Sequence, residues 1–500
     1  MVYRRYVQVL GAFVRYIFVV TGIRLRHRVS CWLGHPTPES LEPQYIRRVL
    51  QDLGATFVKF GQILAMRPDL LPPVYIDELS GLLDSAPTFD SSLAVAIIEE
   101  ELGHSLCDLF PYFEMAPLAA ASFGQVHKAQ LKTGEWVAVK VQRPGLKPLI
   151  DADLRLVRLI TTVVDLSGVM YRVRLKSLVD DFESWTYEEI DYTQEASYAE
   201  RLCRECAGEP TVCIPQVYWD YTTSKVLTAE LMQGVWVSEI LQAIEARDEG
   251  TLTRWQEEGM DLKVVAHNIF QNSMEQVYER SLFHADPHAG NLLVLSDNRI
   301  GYVDFGIVGQ MGKEMRAIEL SLLNCLGTGD LDRFFRSFLQ LGDPPSEDID
   351  LADLEKRIKH NVRQWQNATY NPHASLKTRS ASQMVMLNLG TAREFGLSFQ
   401  EVTVRYYRVL TVAEMMILRL DPTFNLVHAI RAFVTRLRLR ALFNDLSPQV
   451  SLENWLQTQY FLRNMPQTAS DMVRNFSDDR RTVLAAVSRT RKTFARVVHT

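Results

Sequence analysis

The stretch from His284 to Gly306 constrains this chain more than any other. His284-Ala-Asp286-Pro-His-Ala-Gly-Asn291 is followed by two short apolar segments, Leu292–Leu295 and Ile300–Val303, that read as strands bracketing a turn. Asp304-Phe305-Gly306 comes directly after them. Two carboxylates and one amide therefore lie on loops beside short strands, a set of oxygen donors suited to a divalent cation. In this reading Asp304 chelates Mg²⁺ or Mn²⁺, Asn291 holds the metal through its amide oxygen, and Asp286 orients or deprotonates a hydroxyl or a water. Any one of these triplets arises often by chance; their combination at this spacing does not.

A second feature lies far upstream. Ser122–Leu131 alternates in polarity, Thr133-Gly134 turns the chain, and Glu135–Val141 is rich in β-formers, so the sequence predicts a hairpin. Its far strand carries Val137-Ala138-Val139-Lys140, which places an ammonium where it can pair with the α- and β-phosphates of a nucleotide. The spacings around Asp286 and Asn291, the Asp304-Phe305-Gly306 triplet and the strand lysine together match the protein-kinase signature. The phosphate loop departs from it. Where G-x-G-x-x-G-x-V is expected, this chain has Ala119-Ala120-Ala121-Ser122-Phe123-Gly124-Gln125-Val126. Alanine denies the loop both φ > 0 and close backbone approach to phosphate. The loop should be stiffer and should hold ATP or ADP differently. Glu230-Leu231-Met232-Gln233-Gly234 reads as the linker to the large lobe, with backbone groups at Glu230 and Met232 facing the adenine edge. No segment resembling A-P-E follows Gly306, and Ile307–Met311 is expected to run directly into helix.

Three further marks bring out a family. The alanine loop, Lys59-Phe60-Gly61-Gln62 and Glu189-Ile190-Asp191 followed by Glu195 occur together and in order. The chain resembles the UbiB/ADCK atypical kinase family over about residues 40–330. The resemblance implies an α+β, bilobal protein-kinase-like fold with a helical N-terminal extension and extra C-terminal helices. It implies that Glu195 pairs with Lys140. It implies too that Lys59, Gly61 and Gln62 sit on a helix draped over the cleft, with Lys59 near Glu189 and Asp191, occluding a protein-substrate surface. His284, Phe305 and Gly306 complete the family motifs. The family supports prenylquinone biosynthesis, so an ATPase or a small-molecule or lipid phosphotransferase acting on a membrane lipid or prenylquinone precursor is expected. The alternatives are a nucleotide-gated scaffold for a quinone-biosynthesis complex and, last, a true protein kinase.

The remaining chain is largely helical in pattern. The reading divides it into a basic-apolar helix (1–40), a helical extension with the Lys59 motif (41–115), a small lobe with inserted helices (116–233), a large lobe (234–345), additional helices (346–445) and a basic tail (446–500). Expected elements include a helix after Asp90 closed by Gly103 and a new helix near Val74 once Pro68, Pro72 and Pro73 have broken the pattern. Long helical stretches are expected at 148–206, 236–247 and 251–281, and two strands within Val217–Glu230.

The 500 residues are 47% hydrophobic and carry a formal net charge of -6, which argues against a general nucleic-acid binder. The charge is uneven. Residues 1–50 hold eight arginines against two glutamates, and residues 431–500 hold eleven arginines and one lysine against five acidic residues. Basic ends on an acidic body fit an anionic membrane surface. Tyr6–Ile23 is the most apolar segment, but Arg15 interrupts it short of the ~20 residues that span a bilayer. An interfacial helix, with flanking arginines reaching headgroups, is the preferred reading beside a helix packed on the protein's own body. No Ser-rich, acid-poor transit peptide is seen, which points to peripheral attachment at the cytoplasmic face of a bacterial membrane, or to an organellar membrane in a eukaryote. Six cysteines are too few for a disulfide framework, and Cys203-Arg-Glu-Cys206 lacks the second pair that zinc requires.

Overall fold

The computed structural model describes all residues except 1, 33–41, 66–70, 72, 80, 83–87, 121–122, 168–174, 281, 343–348, 370, 372–373, 398, 400 and 446–500. Pro68, Pro72, Ala121, Ser122 and the basic tail thus lie outside the described residues. The chain divides into two compact units, Met1–Ala429 and Ile430–Thr500. In the second, the described residues belong to the helix Leu426–Asp445, where the Arg436 guanidinium sits 5.2 Å from the centroid of the Phe433 ring. All that follows concerns the first unit.

The small lobe is an antiparallel sheet whose strands run in the order Tyr112–Phe113, Gly124–Gln130, Trp136–Gln142, Val226–Glu230, with Ala119–Ala120 also paired to Gly124–Gln130. The expected hairpin is its centre, and Val126, Lys140 and Leu227 lie side by side in register. Strand alternation decides what each face does. Ala129, Val137, Val139 and Val141 point to one side and pack on Ala94 and Ile98 of the helix Ser91–Leu102. Val126, Ala138 and Lys140 therefore point to the other side, the cleft. The helix Ser91–Leu102 has the ends its sequence predicts: the Asp90 side chain accepts from the Ser92 amide, and Gly103 closes it in a left-handed conformation at φ 69°.

The stretch 148–206 is three helices, Leu146–Ser167, Leu175–Glu189 and Tyr192–Glu205. The last break follows from Asp191, whose carboxylate accepts from the Thr193 amide at 3.0 Å and restarts the chain as an N-cap. Of the two strands expected in Val217–Glu230, only Val226–Glu230 forms. Val217 makes a single bridge to Ala229, and Trp219–Tyr221 is a 3-10 turn.

The large lobe is built on the helix Leu262–Tyr278, which is buried on nearly every side. The expected single helix 251–281 is in fact two. Glu249–Glu257 ends at Gly259 (φ 98°), and Asp261 caps the next by accepting from the Lys263 and Val264 amides. Short strands frame the site. Val212–Cys213, Ile300–Tyr302, Leu292–Val294 and Val235–Trp236 form one sheet in that order, and Leu282–His284 pairs with Val308–Gln310. The segment Ile307–Met311 therefore passes through a strand before the helix Lys313–Thr328 begins, because Val308 and Gly309 find partners in His284 and Phe283.

The N-terminal helix Val2–Trp32 packs along Glu42–Leu53 and Leu146–Ser167. Val9 and Val20 are buried, with Val9 in a cluster with Leu50, Leu53, Phe57 and Leu156. Arg5 forks onto buried Asp153 at 2.6 and 2.7 Å, donates to the Leu53 carbonyl at 2.6 Å and lies over the Phe57 ring. The opposite face shows Val7, Leu10, Val14 and Phe18 to the outside. The reading of a helix packed on the protein's own body thus holds for one face, and the other face is apolar and exposed. Its segment Arg5–Ile23, 19 residues with a mean hydropathy of 1.6, is long and apolar enough to cross a membrane by length and composition. This corrects the sequence expectation: the arginines at 5 and 15 do not cancel the apolarity of the rest of the segment.

Candidate nucleotide and metal site

Three elements deliver the charged centre. Lys140 comes from the small-lobe sheet, Glu195 from the first turn of the helix Tyr192–Glu205, and Asp304 from the loop after Ile300–Tyr302. The Lys140 ammonium lies 2.8 Å from both Glu195 carboxylate oxygens and 3.5 Å from Asp304 Oδ2. Burial alone would strip the ammonium of its proton; the facing Asp304 and Glu195 carboxylates reverse this and hold it protonated well above the usual lysine range. Burial likewise opposes charge on Asp304, yet Lys140, the Gly306 amide, Lys59 and His284 outweigh it and keep the carboxyl below its ordinary range. Asp304 is therefore ionised at any working pH.

His284 ties the two loops together. Its Nδ1 accepts from the Asp286 amide at 3.2 Å, so its Nε2 carries the proton and donates to the Asp304 carbonyl. Burial keeps this imidazole neutral, with its pKa lowered. Phe305, also buried, packs edge-on against the His284 ring. The Asn291 amide nitrogen donates to the Asp286 carbonyl at 3.0 Å. That orients the side chain. Gly306 donates its amide to Asp304 Oδ1 at 2.9 Å.

A cavity of about 260 Å³ joins these groups. Lys59, Ala120, Phe123, Lys140, Asp286, Asn291, Asp304 and Gly306 all line it. Lys59 reaches it from the helix Ala55–Ala65 and meets Glu189 at 2.7 Å. Gly61 lets that helix pack: a Cβ there would strike Leu82 and would come within 2.7 Å of Leu50 Cδ1. Gln62 donates to the Leu82 carbonyl at 3.1 Å, which fixes the helix rather than the cleft. Asp191 acts as the cap described above.

Six predicted nucleotide contacts, Ala119, Gly124, Gln125, Val126, Glu230 and Met232, are not among the residues lining the cavity. Gln125 faces the other side of the sheet, where it accepts from the Phe89 amide and bonds the His127 ring. That reverses its expected role, and the strand period is the reason. Ala119 pairs with Val126 in the sheet. Glu230 pairs with Gln216, its amide donating to the Gln216 carbonyl at 2.8 Å, and Met232 packs on Gly301. Sequence reasoning missed four lining residues, Tyr192, His288, Gly290 and Ile307. Two of them carried a signal: Tyr192 follows Glu189-Ile190-Asp191 directly, and His288 stands two after Asp286.

The donor set fits a hard divalent cation. Asp304 is ionised, the Asn291 oxygen is oriented, and no group of three or more His, Cys, Asp or Glu is gathered to hold a metal among the described residues. One carboxylate and one amide, completed by phosphate oxygens and water, are the ligation that Mg²⁺ prefers over an all-protein cage.

Comparison with known proteins agrees with this architecture. Residues 81–337 match the ABC1 atypical kinase-like domain. The chain is 34% identical over 455 residues to the "Probable protein kinase UbiB" of Pseudomonas fluorescens (strain Pf0-1), covering 89% of this chain and 80% of that protein. It is 31% identical over 473 residues to "Uncharacterized protein sll0005" of Synechocystis, covering 92% of this chain and 66% of that one. "Protein ACTIVITY OF BC1 COMPLEX KINASE 3, chloroplastic" of Arabidopsis thaliana is 34% identical over 386 residues, 77% of this chain and 52% of that protein. The motifs, the two-lobed α+β fold and these matches agree: the chain belongs to the ABC1 (UbiB/ADCK) atypical kinase-like family.

Proposed function

We propose that the protein binds ATP with Mg²⁺ or Mn²⁺ in this cleft and turns it over as an ATPase or as a phosphotransferase to a small molecule or lipid, in support of prenylquinone biosynthesis at a membrane. The observation that carries the reading is Lys140 bonded to Glu195 while facing Asp304, in a cavity that Asp286 and Asn291 also line. Phosphoryl transfer requires little covalent chemistry from a protein; it needs charge neutralisation and an in-line acceptor. Lys140 supplies charge for the phosphates. Asp304 and Asn291 would hold the metal, whose part is to neutralise the β- and γ-oxygens. Asp286 would orient the acceptor and take its proton.

Lys59 narrows the acceptor. Its helix brings a second cation into the same cavity and pairs it with Glu189; in this reading it also covers the side a protein substrate would use. Water or a small acceptor fits what space is left. The exposed apolar face of the N-terminal helix supports action at a membrane, where Val7, Leu10, Val14 and Phe18 would enter the interface. The test is ATP hydrolysis with Mg²⁺, measured with and without lipid vesicles. The reading fails if the wild-type protein shows no turnover in either arm, or if Asp304→Asn leaves turnover unchanged.

A further inference from the structure

Buried hydroxyls normally find a partner, and an orphan calls for an explanation. The Tyr192 hydroxyl has no hydrogen-bond partner, although the side chain is only 1% exposed. It lies beneath the end of the phosphate loop, where a Cβ on Gly124 would come within 2.5 Å of it. That close approach gives the one retained glycine of the loop a reason that has nothing to do with φ. Tyr192 lines the cavity, and the Lys140 ammonium stands 5.2 Å from the centroid of its ring. Burial holds the phenol protonated, so it stays a donor.

We infer that Tyr192 is a phosphate-binding residue: its hydroxyl donates to an oxygen of the nucleotide's phosphate chain when ATP fills the cleft. The alanines at 119–121 deprive the loop of glycine's close amide approach, and a phenol under the loop supplies a donor from the opposite side. The tyrosine opens the same helix that carries Glu195 three residues later, so one element sets both the partner of Lys140 and this donor. The inference rests on the nucleotide reading above.

Tyr192→Phe is a clean probe, because it removes an oxygen that bonds nothing in the protein. Titration of the full-length protein with MgATP, and separately with adenosine, measures the two dissociation constants, and thermal melting without nucleotide measures the fold. A hydrogen bond to a charged acceptor predicts MgATP affinity weaker by about tenfold or more. Adenosine affinity and the melting temperature should not move. An unchanged MgATP constant overturns the inference. So does equal weakening toward adenosine, or a lowered melting temperature with MgATP affinity intact, which would mean that the hydroxyl bonds the protein. Wild-type protein that binds neither ligand sinks the nucleotide reading itself, an outcome that differs from all of these.

Discussion

Two buried carboxylates, Glu195 and Glu319, teach opposite lessons. Glu195 is 3% exposed and Glu319 is 1% exposed. Glu195 is matched: both of its oxygens lie on the Lys140 ammonium, and Asp304 stands just beyond. Glu319 lies among helices of the large lobe with tyrosines for company. The Tyr407 hydroxyl donates to its Oε2 at 3.5 Å, Tyr278 and Tyr406 bond each other nearby, and its Oε1 has no partner. Burial pushes its pKa up to about 8. A carboxyl taken out of water either finds a cation or keeps its proton. The first outcome builds an electrostatic site, and the second builds a neutral polar spot in a core.

That contrast can be broken at four points. Asp304→Asn should have the largest effect, lowering ATP turnover by about 10³-fold or more, since it removes the ionised carboxylate proposed to hold the metal. It should leave the melting temperature nearly unchanged. Glu319→Gln should do the reverse. With the folded pKa raised from 4.5 to about 8, the wild-type protein loses stability as pH rises from about 4.5 through 8. At ~1.4 kcal/mol per pKa unit the cost is several kcal/mol by pH 8. The glutamine variant should show no such slope in thermal melts, gain most over wild type near pH 8, and keep its turnover. A wild-type stability curve that is flat or rising between pH 5 and 8 would show that Glu319 is charged and has a cation we do not see. Glu195→Gln should come next, with a loss in turnover of about 10²-fold (~2.7 kcal/mol). Lys140 keeps Asp304 as its counter-ion but loses the group that positions it. Asp261→Ala is the smallest: removal of the cap on the helix Leu262–Tyr278 should cost ~1 kcal/mol in denaturant melts with turnover intact. A cap loss that rivals Glu319→Gln would mean that this region's stability comes from its ends and not from its buried polar groups.

Much of the site was legible because its residues form a fixed local grammar. Lys140 on a strand, Asp286 and Asn291 five apart, and Asp304 after a short apolar strand are one-dimensional patterns, and the structure brings them around one cavity. The fold class followed from the same patterns, and the helix after Asp90 was readable to its caps. What could not be read was the face on which a residue falls once partners compete for it. Gln125 and Val126 are neighbours in the loop motif, yet strand alternation sends Gln125 to His127 and away from the cleft. Tyr192 looked like any aromatic at a helix start, because an orphan hydroxyl exists only in three dimensions. Helix breaks at Asp191 and Asp261 were hidden for a related reason. The apolar period continues across them, and only a side chain folding back on the backbone shows the stop.

The Arg5 fork carries a warning for protein engineering. Trimming an apolar first helix is a common way to make such a chain easier to purify. Here that cut would delete the only described counter-ion of Asp153, a carboxylate whose side chain is fully shielded from water. Removing that partner while the carboxylate stays buried, as Arg5→Ala would, costs ~3–5 kcal/mol, a large share of the stability of an ordinary domain. The same cut would release the Leu53 carbonyl and the Phe57 ring, the latter two residues before Lys59. Shortened protein that aggregates, or that handles nucleotide differently, would be reporting damage to its interior and not the loss of a dispensable leader.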